Sequence, residues 1–504
     1  MSLPRRRVLC SAAAAVSATV MAARRGPDFG ALARGLDGRL VLPDDRDYSE
    51  ARQLFQPRYD AVAPAAVAYP AHAADVAACL DFARRSAVPV VPRGGGHGYA
   101  GWSTRAGGLV VDLGAVARVV VAGDGARVGA GARLGDVNAA LAGRGLGVPT
   151  GLCPSVGIAG LALGGGLGLA SRAYGATCDR LTGATVVTPD GAVREVGPDR
   201  EPELYWALRG GGGGNFGVVT EFRFRTHPVA DAAFAELHWS GADSAAVLRG
   251  WQRWLVGLPD PFWSQVEFLV GADVEGGTVP ALRVVCLDGR RELERELTRL
   301  TDLIGRPVRD TWTVVRGYGD TVRAVSGCLE RSAEECRLPG VLPGRDPKGR
   351  LGRESYAARS DFWAGPGLPD AAIGVVLDAV RRHPSAAPRG GIGVVQFDGV
   401  CGGALNRVPA GATAFAHRAA AFLAQYLVHW PASAPAAEVA RHQDWLDGLW
   451  RDLRPWASGS AYQNYTDPKL TGWREAYYGP NLARLEAVRR RYDPDRLFRF
   501  PHAL

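Results

Sequence analysis

The sequence is poor in several features, and each shortage narrows what the chain can be. Lys348 and Lys469 are the only lysines among 59 basic residues, so a formal net charge of +8 rests almost wholly on arginine. No run of five basic residues occurs, and basic side chains are not interleaved with aromatics in one block. That favours a solvated surface over a nucleic-acid footprint. Eight cysteines in 504 residues are too few for a disulfide-dense fold. No CxxC pair and no CxxC-plus-His spacing suggests zinc, so no metal is expected. No repeat of fixed period argues for a solenoid or propeller. Past the N-terminus no apolar run approaches the length of a membrane span, so the mature chain is expected to be soluble. A Walker loop is absent. No glycine stretch opens a βαβ unit with an acidic residue about twenty positions on, as the Rossmann fingerprint requires.

With 47% hydrophobic and 22% charged residues, the composition is that of a globular chain. The length suits two or three domains. The first residues read MSLPRRRVLCSAAAAVSATVMAARRG. A basic block, Arg5 to Arg7, precedes an uncharged stretch with small residues near Ala22. This is the layout of a secretory signal, and the consecutive arginines resemble the twin-arginine kind. Export is expected; the alternative is a flexible tail on a cytoplasmic enzyme.

Residues 73–87 have apolar side chains at helical spacing, and 88–92 read as a short strand. Strands are expected at 108–113 and 218–225, and a helix at 134–146. Hairpins are expected around Asp124-Gly125 and Asp190-Gly191. Amphipathic helices are expected at 245–258, 412–427 and 481–491, and a surface loop at 337–353. The chain divides into a signal and flexible start (1–35), an α+β domain (36–225), a second domain (226–455) and a C-terminal segment (456–504) that packs back on the first. Cys328 and Cys336 are near enough to form a disulfide; two unpaired thiols fit equally well.

Three glycine clusters fall in the first domain: Gly94-Gly95-Gly96, Gly164-Gly165-Gly166 and 210–214. Loops of this kind expose successive N–H groups and let a ligand approach the backbone, which suits a pyrophosphate. Three in one domain point to a dinucleotide. His97 follows the first cluster and Cys153 precedes the second.

RGGGHGYAGWS (93–103) and GLCPSVGIAGLALGGGLGLASRAYG (151–175) resemble the two flavin-attachment segments of the berberine-bridge-enzyme-like oxidases, which have the vanillyl-alcohol-oxidase type of FAD-binding fold. ELYWALRGGGGGNFGVVTEF (203–222), YQNYTD (462–467) and YYGPNLARLEAVRRRYDPDRLF (477–498) extend the resemblance in the family's order. It implies an α+β, two-domain flavoprotein: an FAD-binding domain, and a substrate domain whose antiparallel sheet is covered by helices. It implies FAD held by two covalent bonds, from a ring nitrogen of His97 to the 8α-methyl carbon and from the Cys153 sulfur to C6. Arg93, Gly94, Gly95, Gly96, Gly98, Val156, Gly157, Gly160, Gly164, Gly165, Gly168, Gly217, Val219 and Asn464 would surround the cofactor. Val156 matches a position associated in relatives with oxygen access. Two departures stand out: Ala159-Gly160 replaces a Gly-Gly pair, and the RFPHAL ending replaces a glutamine-containing one.

Oxidation of an alcohol needs a base for the O–H proton. The resemblance gives that part to Tyr465, with Tyr462 and Asn464 beside the flavin or tuning it. A tyrosine of ordinary pKa, about 10, is a poor base, so nearby positive charge or donors are expected. Gln396 and Asp398 alternate onto one face of an expected strand, where they would bind substrate hydroxyls or face solvent. The expected function is a secreted FAD-linked oxidase. It acts on the C–OH of a sugar, oligosaccharide or glycosylated natural product and gives hydrogen peroxide from oxygen. The partners are thus a small molecule and O2, with oligomeric state open. One alternative keeps the fold but oxidises C–H or C–N bonds of a secondary metabolite; another is a flavin-storing protein with little turnover.

Overall fold

The computed structural model describes residues 26–271, 279–384 and 391–504. The export signal read at 5–23, with Cys10, lies outside the described residues; of the start expected to be flexible, Phe29–Arg34 is instead a helix that buries Leu32 and sets Phe29 against Phe82.

Four short strands come first: β1 (Arg39–Val41), β2 (Ala66–Tyr69), β3 (Val90–Arg93) and β4 (Leu109–Asp112). They lie in the order β1-β2-β4-β3, with β2 and β3 parallel to β4. Parallel neighbours need a crossover, and the helix Ala73–Ser86 supplies one between β2 and β3. Val76, Leu80 and Ala83 recur on its buried side at helical spacing.

Next come β5 (Val119–Ala122), β6 (Gly125–Gly129), β7 (Leu146–Gly147), β8 (Leu181–Val187), β9 (Val193–Val196) and β10 (Val218–Arg225). All but β7 form an antiparallel sheet in the order β5-β6-β10-β8-β9. Both expected hairpins are present. β7 instead pairs with β11 (His227–Pro228).

The rest of the chain builds one antiparallel sheet from β12 (Asp231–His238), β13 (Phe262–Val270), β14 (Pro280–Cys286), β15 (Asp310–Gly317), β16 (Ser355–Trp363), β17 (Ile392–Asp398) and β18 (Phe422–Trp430). The order is β15-β12-β14-β13-β17-β18-β16. Alternation along each strand separates two faces. Val266, Phe268, Val395, Phe397, Tyr426 and Val428 share a core with the helices Ser244–Leu255, Arg290–Ile304, Asp370–Arg381 and Ala436–Leu453, into which Trp251 and Trp254 are fully buried. The residues between them on the same strands point the other way, into a cavity.

One expectation is corrected here. Residues 412–427 do not form a helix: 412–421 is irregular and Phe422–Trp430 is β18. That strand lies between β16 and β17 and is covered on both faces, so it shows no alternation. Its alanine-rich lead-in has helix propensity, which tertiary pairing overrides. The loop at 337–353 is also more than surface. Leu342 is buried among Val41, Tyr69, Val91 and Val110, and the Glu50 carboxylate accepts the N–H groups of Val341 and Leu342. Cys328 and Cys336 are bonded as a disulfide.

Tyr477, Leu485, Val488, Phe498 and Leu504 of the C-terminal segment share a core with Trp206, Phe222 and Val90. No described helix is long and apolar enough to cross a membrane.

Candidate active site

A cavity of about 690 Å³ lies between the glycine loops and the seven-stranded sheet. That is ample for a cofactor and a small substrate. One wall is backbone. The loops after β3 and before the helix Ile158–Leu163 cross in direct contact. A Cβ on Gly95 would sit 2.2 Å from the backbone N of Gly157, and one on Gly157 would sit 2.3 Å from that of Gly95. Neither position has room for a side chain, and both line the cavity. Beside them Gly160 opens outward, with nothing within 4 Å of where a Cβ would stand. The Ala159 methyl, a departure from the family pattern, is buried and lies towards Gly94. Such a bare, polar-edged wall fits a dinucleotide such as FAD, whose phosphates need close backbone approach.

His97 and Cys153 sit on this wall. His97 Nε2 is 2.9 Å from Ser155 Oγ, which ties the two loops together, and its ring stacks on Phe55 at 4.0 Å. Burial, helped by the Arg133 charge, pushes the imidazole pKa down to about 3. The ring is therefore neutral at physiological pH, with a lone pair available. Cys153 is unpaired and exposed to the cavity. Burial, then the Glu354 charge, raises its thiol pKa, so nothing in the protein alone favours the thiolate.

Tyr462, Asn464 and Tyr465 come from the short turn Gln463–Tyr465 and the residue before it. The Tyr462 hydroxyl accepts from Gly166 N–H at 2.9 Å and from Asn464 Nδ2 at 2.8 Å. Asn464 Nδ2 also donates to the Leu161 carbonyl. Tyr465 meets Tyr462 edge-on at 5.0 Å and stacks on Tyr99 at 5.4 Å. The electrostatics around Tyr465 run opposite to expectation. Burial, then the Asp398 carboxylate, holds its phenol pKa well above the ordinary value.

The other wall is side chains on strands. Pairing places Gln265 opposite Asp398, and Glu267 opposite Gln396, which faces Gln425 in turn. Gln265 Nε2 donates to Asp398 Oδ1 at 2.9 Å, and Gln396 Nε2 donates to Oδ2 at 2.7 Å. Burial raises the Asp398 pKa to about 6 against these donors. Gln425 Nε2 donates to the Tyr99 hydroxyl at 2.7 Å, joining the two walls.

Of the residues singled out in the sequence, the cavity gathers His97, Cys153, Gly94, Gly95, Gly96, Gly98, Val156, Gly157, Gly160, Gly168, Gly217, Val219, Tyr462, Asn464, Tyr465, Gln396 and Asp398. It does not gather Arg93, Gly164 or Gly165. Arg93 is buried in an ion pair with Asp112 and donates to the Ala51 carbonyl, so it anchors the loop from behind. Gly164 makes room for Asn464, whose Oδ1 would lie 2.0 Å from a Cβ there, and Gly165 faces Phe415. The sequence reading missed Gln265, Glu267, Arg283 and Gln425, which only strand register brings to the site. It also passed over Tyr99, although that residue stands two positions after His97 in a quoted motif.

Residues 64–197 match the family described as FAD binding domain, and residues 461–504 match the one described as berberine and berberine like. The chain is 32% identical over 478 residues to the uncharacterized FAD-linked oxidoreductase YgaK of Bacillus subtilis, covering 93% of this chain and 97% of that one. It is 30% identical over 476 residues to (R)-6-hydroxynicotine oxidase of Paenarthrobacter nicotinovorans, covering 92% and 96%. Among solved structures, the glucooligosaccharide oxidase of Acremonium strictum with a 6-S-cysteinyl, 8α-N1-histidyl FAD superposes at a TM-score of 0.80. It is 26% identical, over 93% of this chain and 97% of that one.

Proposed function

This chain belongs to the berberine-bridge-enzyme-like family of FAD-linked oxidoreductases, and within it we propose an oxidase of carbohydrate alcohols. The substrate is a sugar, oligosaccharide or glycosylated natural product oxidised at a C–OH carbon, with O2 as acceptor and H2O2 as product. One observation carries the reading: a single cavity joins a glycine wall bearing His97 and Cys153 to a sheet wall bearing amides and carboxylates, with Tyr465 between them. FAD, when bound, supplies the ring that accepts the hydride. His97 and Cys153 hold it through a ring nitrogen and a sulfur, and Val156 leaves oxygen a path. Similarity to a glucooligosaccharide oxidase supports a carbohydrate substrate.

Tyr465 is the residue assigned to the hydroxyl proton. Its phenol is protonated in the resting site, so it takes up the hydroxyl proton only as its own passes to the Asp398 carboxylate. Asp398 is the anion beside it, ionised above about pH 6 and flanked by neutral amides. Tyr462 and Asn464 hold Tyr465 in place.

In this reading 36–225 serves the cofactor, 226–455 the substrate, and 456–504 supplies Tyr465, while the stretch 5–23 directs export and the helix Phe29–Arg34 belongs with the first domain. A second reading, C–N oxidation of a secondary metabolite, draws on the similarity to (R)-6-hydroxynicotine oxidase.

The test is a peroxide assay on the purified holoenzyme with mono- and oligosaccharides, alongside anaerobic flavin bleaching. Peroxide equal to O2 consumed with any carbohydrate supports the proposal. Bleaching by a cyclic amine but by no carbohydrate overturns it in favour of the second reading. Acid precipitation and peptide mass spectrometry check the anchors, with flavin expected on the His97 and Cys153 peptides.

A further inference from the structure

The sheet wall carries more negative charge than a neutral sugar would use. Three carboxylates line the cavity, those of Glu267, Glu354 and Asp398, against one guanidinium, that of Arg283. Their states of compensation differ. Glu354 lies 3.3 Å from His429 Nδ1, and its side chain is 58% exposed. Asp398 receives two neutral amides. Glu267 is the least satisfied. Its side chain is only 12% exposed; Arg283 stands 3.8 Å away, and His429, which also lines the cavity and is taken up by Glu354, acts on it only from farther off. Arg283 is nearer to a second carboxylate, donating from Nε to Glu236 at 3.1 Å. Glu236, itself 17% exposed, also has His238 Nε2 at 3.2 Å, yet it and Glu267 are two largely buried carboxylates sharing one guanidinium. Among the described residues, no hydrogen-bond donor reaches the Glu267 carboxylate. Burial raises its pKa, as expected of an anion short of partners.

This arrangement carries a cost that falls due on substrate binding. A neutral sugar filling the cavity would strip water from Glu267 and Asp398 and return no charge, and a buried anion without a partner is strongly unfavourable. A cation would remove the imbalance. We propose that the substrate alcohol carries a protonated amine, as amino sugars and aminated glycosides do, and that Glu267 receives the ammonium group. The proposal rests on the alcohol-oxidase reading and narrows its substrate class. An ammonium there can donate to Glu267 and to Gln396, which lies opposite it in the sheet and whose amide N–H is already spent on Asp398. Glu267 lies one row along the sheet from the pair Gln265–Asp398, so two residues of strand, about 7 Å, separate the rows. Amine and reacting hydroxyl therefore belong to the same ring or to adjacent rings. Acidic sugars are excluded by the same charges.

Three β-1,4 disaccharides with one backbone test this: the di-glucosamine, its di-N-acetyl form and cellobiose. Each is titrated into the holoenzyme, with Kd read from the perturbation of the flavin spectrum and kcat/KM from peroxide release. The di-glucosamine is expected to bind roughly tenfold or more tightly than cellobiose at low salt. The advantage should shrink above the pH at which the amine loses its proton, and in Glu267→Gln the ratio should fall towards one. A di-glucosamine no better than cellobiose overturns the ammonium proposal and leaves the carbohydrate-oxidase reading standing. An advantage that survives amine deprotonation or Glu267→Gln also overturns it. The pH and salt dependence are read on the wild-type protein, so they decide the matter even where the variant fails to fold. If none of the three binds or turns over, while a cyclic amine bleaches the flavin, the carbohydrate reading itself has failed.

Discussion

The two walls of the cavity are made from different parts of a polypeptide. The cofactor wall is backbone, held so tightly that Gly95 and Gly157 leave no space for each other's side chains. The substrate wall is side chain, set on a regular sheet whose far face is a tryptophan-rich core. A backbone wall tolerates almost no substitution at its crossing point but says little about chemistry. A side-chain wall can be rewritten residue by residue without disturbing the strands. The contrast separates what binds the cofactor from what selects the substrate, and it makes definite claims.

The largest effect belongs to the backbone wall. Gly95→Ala should prevent formation of the flavin-loaded fold, because its methyl would meet main chain and not a movable side chain. Overpacking of that kind costs about 3 kcal/mol or more. The flavin-to-protein ratio and soluble yield measure it. Gly160→Ala is the control: its methyl points into open space, so the protein should fold with unchanged thermal stability before flavin is added. Equal behaviour of the two variants would break the comparison.

Between the walls, Tyr465→Phe should cut kcat by about 10²–10⁴-fold, the usual worth of a positioned acid or base. The visible spectrum should still report one flavin per chain, since the hydroxyl holds no wall together. Turnover within a few-fold of wild type would remove Tyr465 from the reaction.

The same division explains what could be seen in advance. The backbone wall lies in short contiguous segments, so glycine spacing, His97 and Cys153 were legible from local sequence. Even there the roles of single residues were not. Arg93 sits inside the motif yet turns away to Asp112, and Gly164 serves Asn464, some 300 residues later. The substrate wall is assembled from β13, β14, β17 and β18, each contributing one or two polar residues among many apolar ones. Nothing within any one of those strands distinguishes Gln265 or Glu267 from a solvent-facing residue until register places them side by side. Gln425 was doubly hidden, because the segment that carries it reads as helix and folds as a central strand.

A smaller effect tests whether the substrate wall bears charge strain. Burial raises the folded-state pKa of Asp398 from 3.8 to about 6. A raised carboxylate pKa leaves stability intact below about pH 4 and removes it as pH climbs through 6, because ionisation then costs more in the folded state than in the unfolded. Asp398→Asn cannot ionise, and either glutamine can turn its amide to present oxygen to the new N–H. The variant should therefore gain on wild type between pH 4.5 and pH 8, by about 3 kcal/mol at most. Paired urea denaturations at the two values measure the gain. An equal difference at both would return the Asp398 charge to solvent and weaken the case for a strained wall.

The smallest effect falls where the walls touch. Gln425 Nε2 and the Tyr99 hydroxyl form a hydrogen bond from sheet to loop, and Tyr99 in turn stacks on Tyr465. Gln425→Leu removes the donor and keeps the strand. A fully enclosed hydroxyl left alone would cost about 1–3 kcal/mol. Gln425 and Tyr99 both border the cavity, where water can take the amide's place, so the loss should be about 1 kcal/mol by urea denaturation. A loss above 3 kcal/mol would mean that the walls stand as one cooperative unit and that their separation into backbone and side-chain duties is false. A loss near 1 kcal/mol, with KM moving more than kcat, would mean that the sheet can be re-lined for another substrate while the glycine wall keeps its flavin.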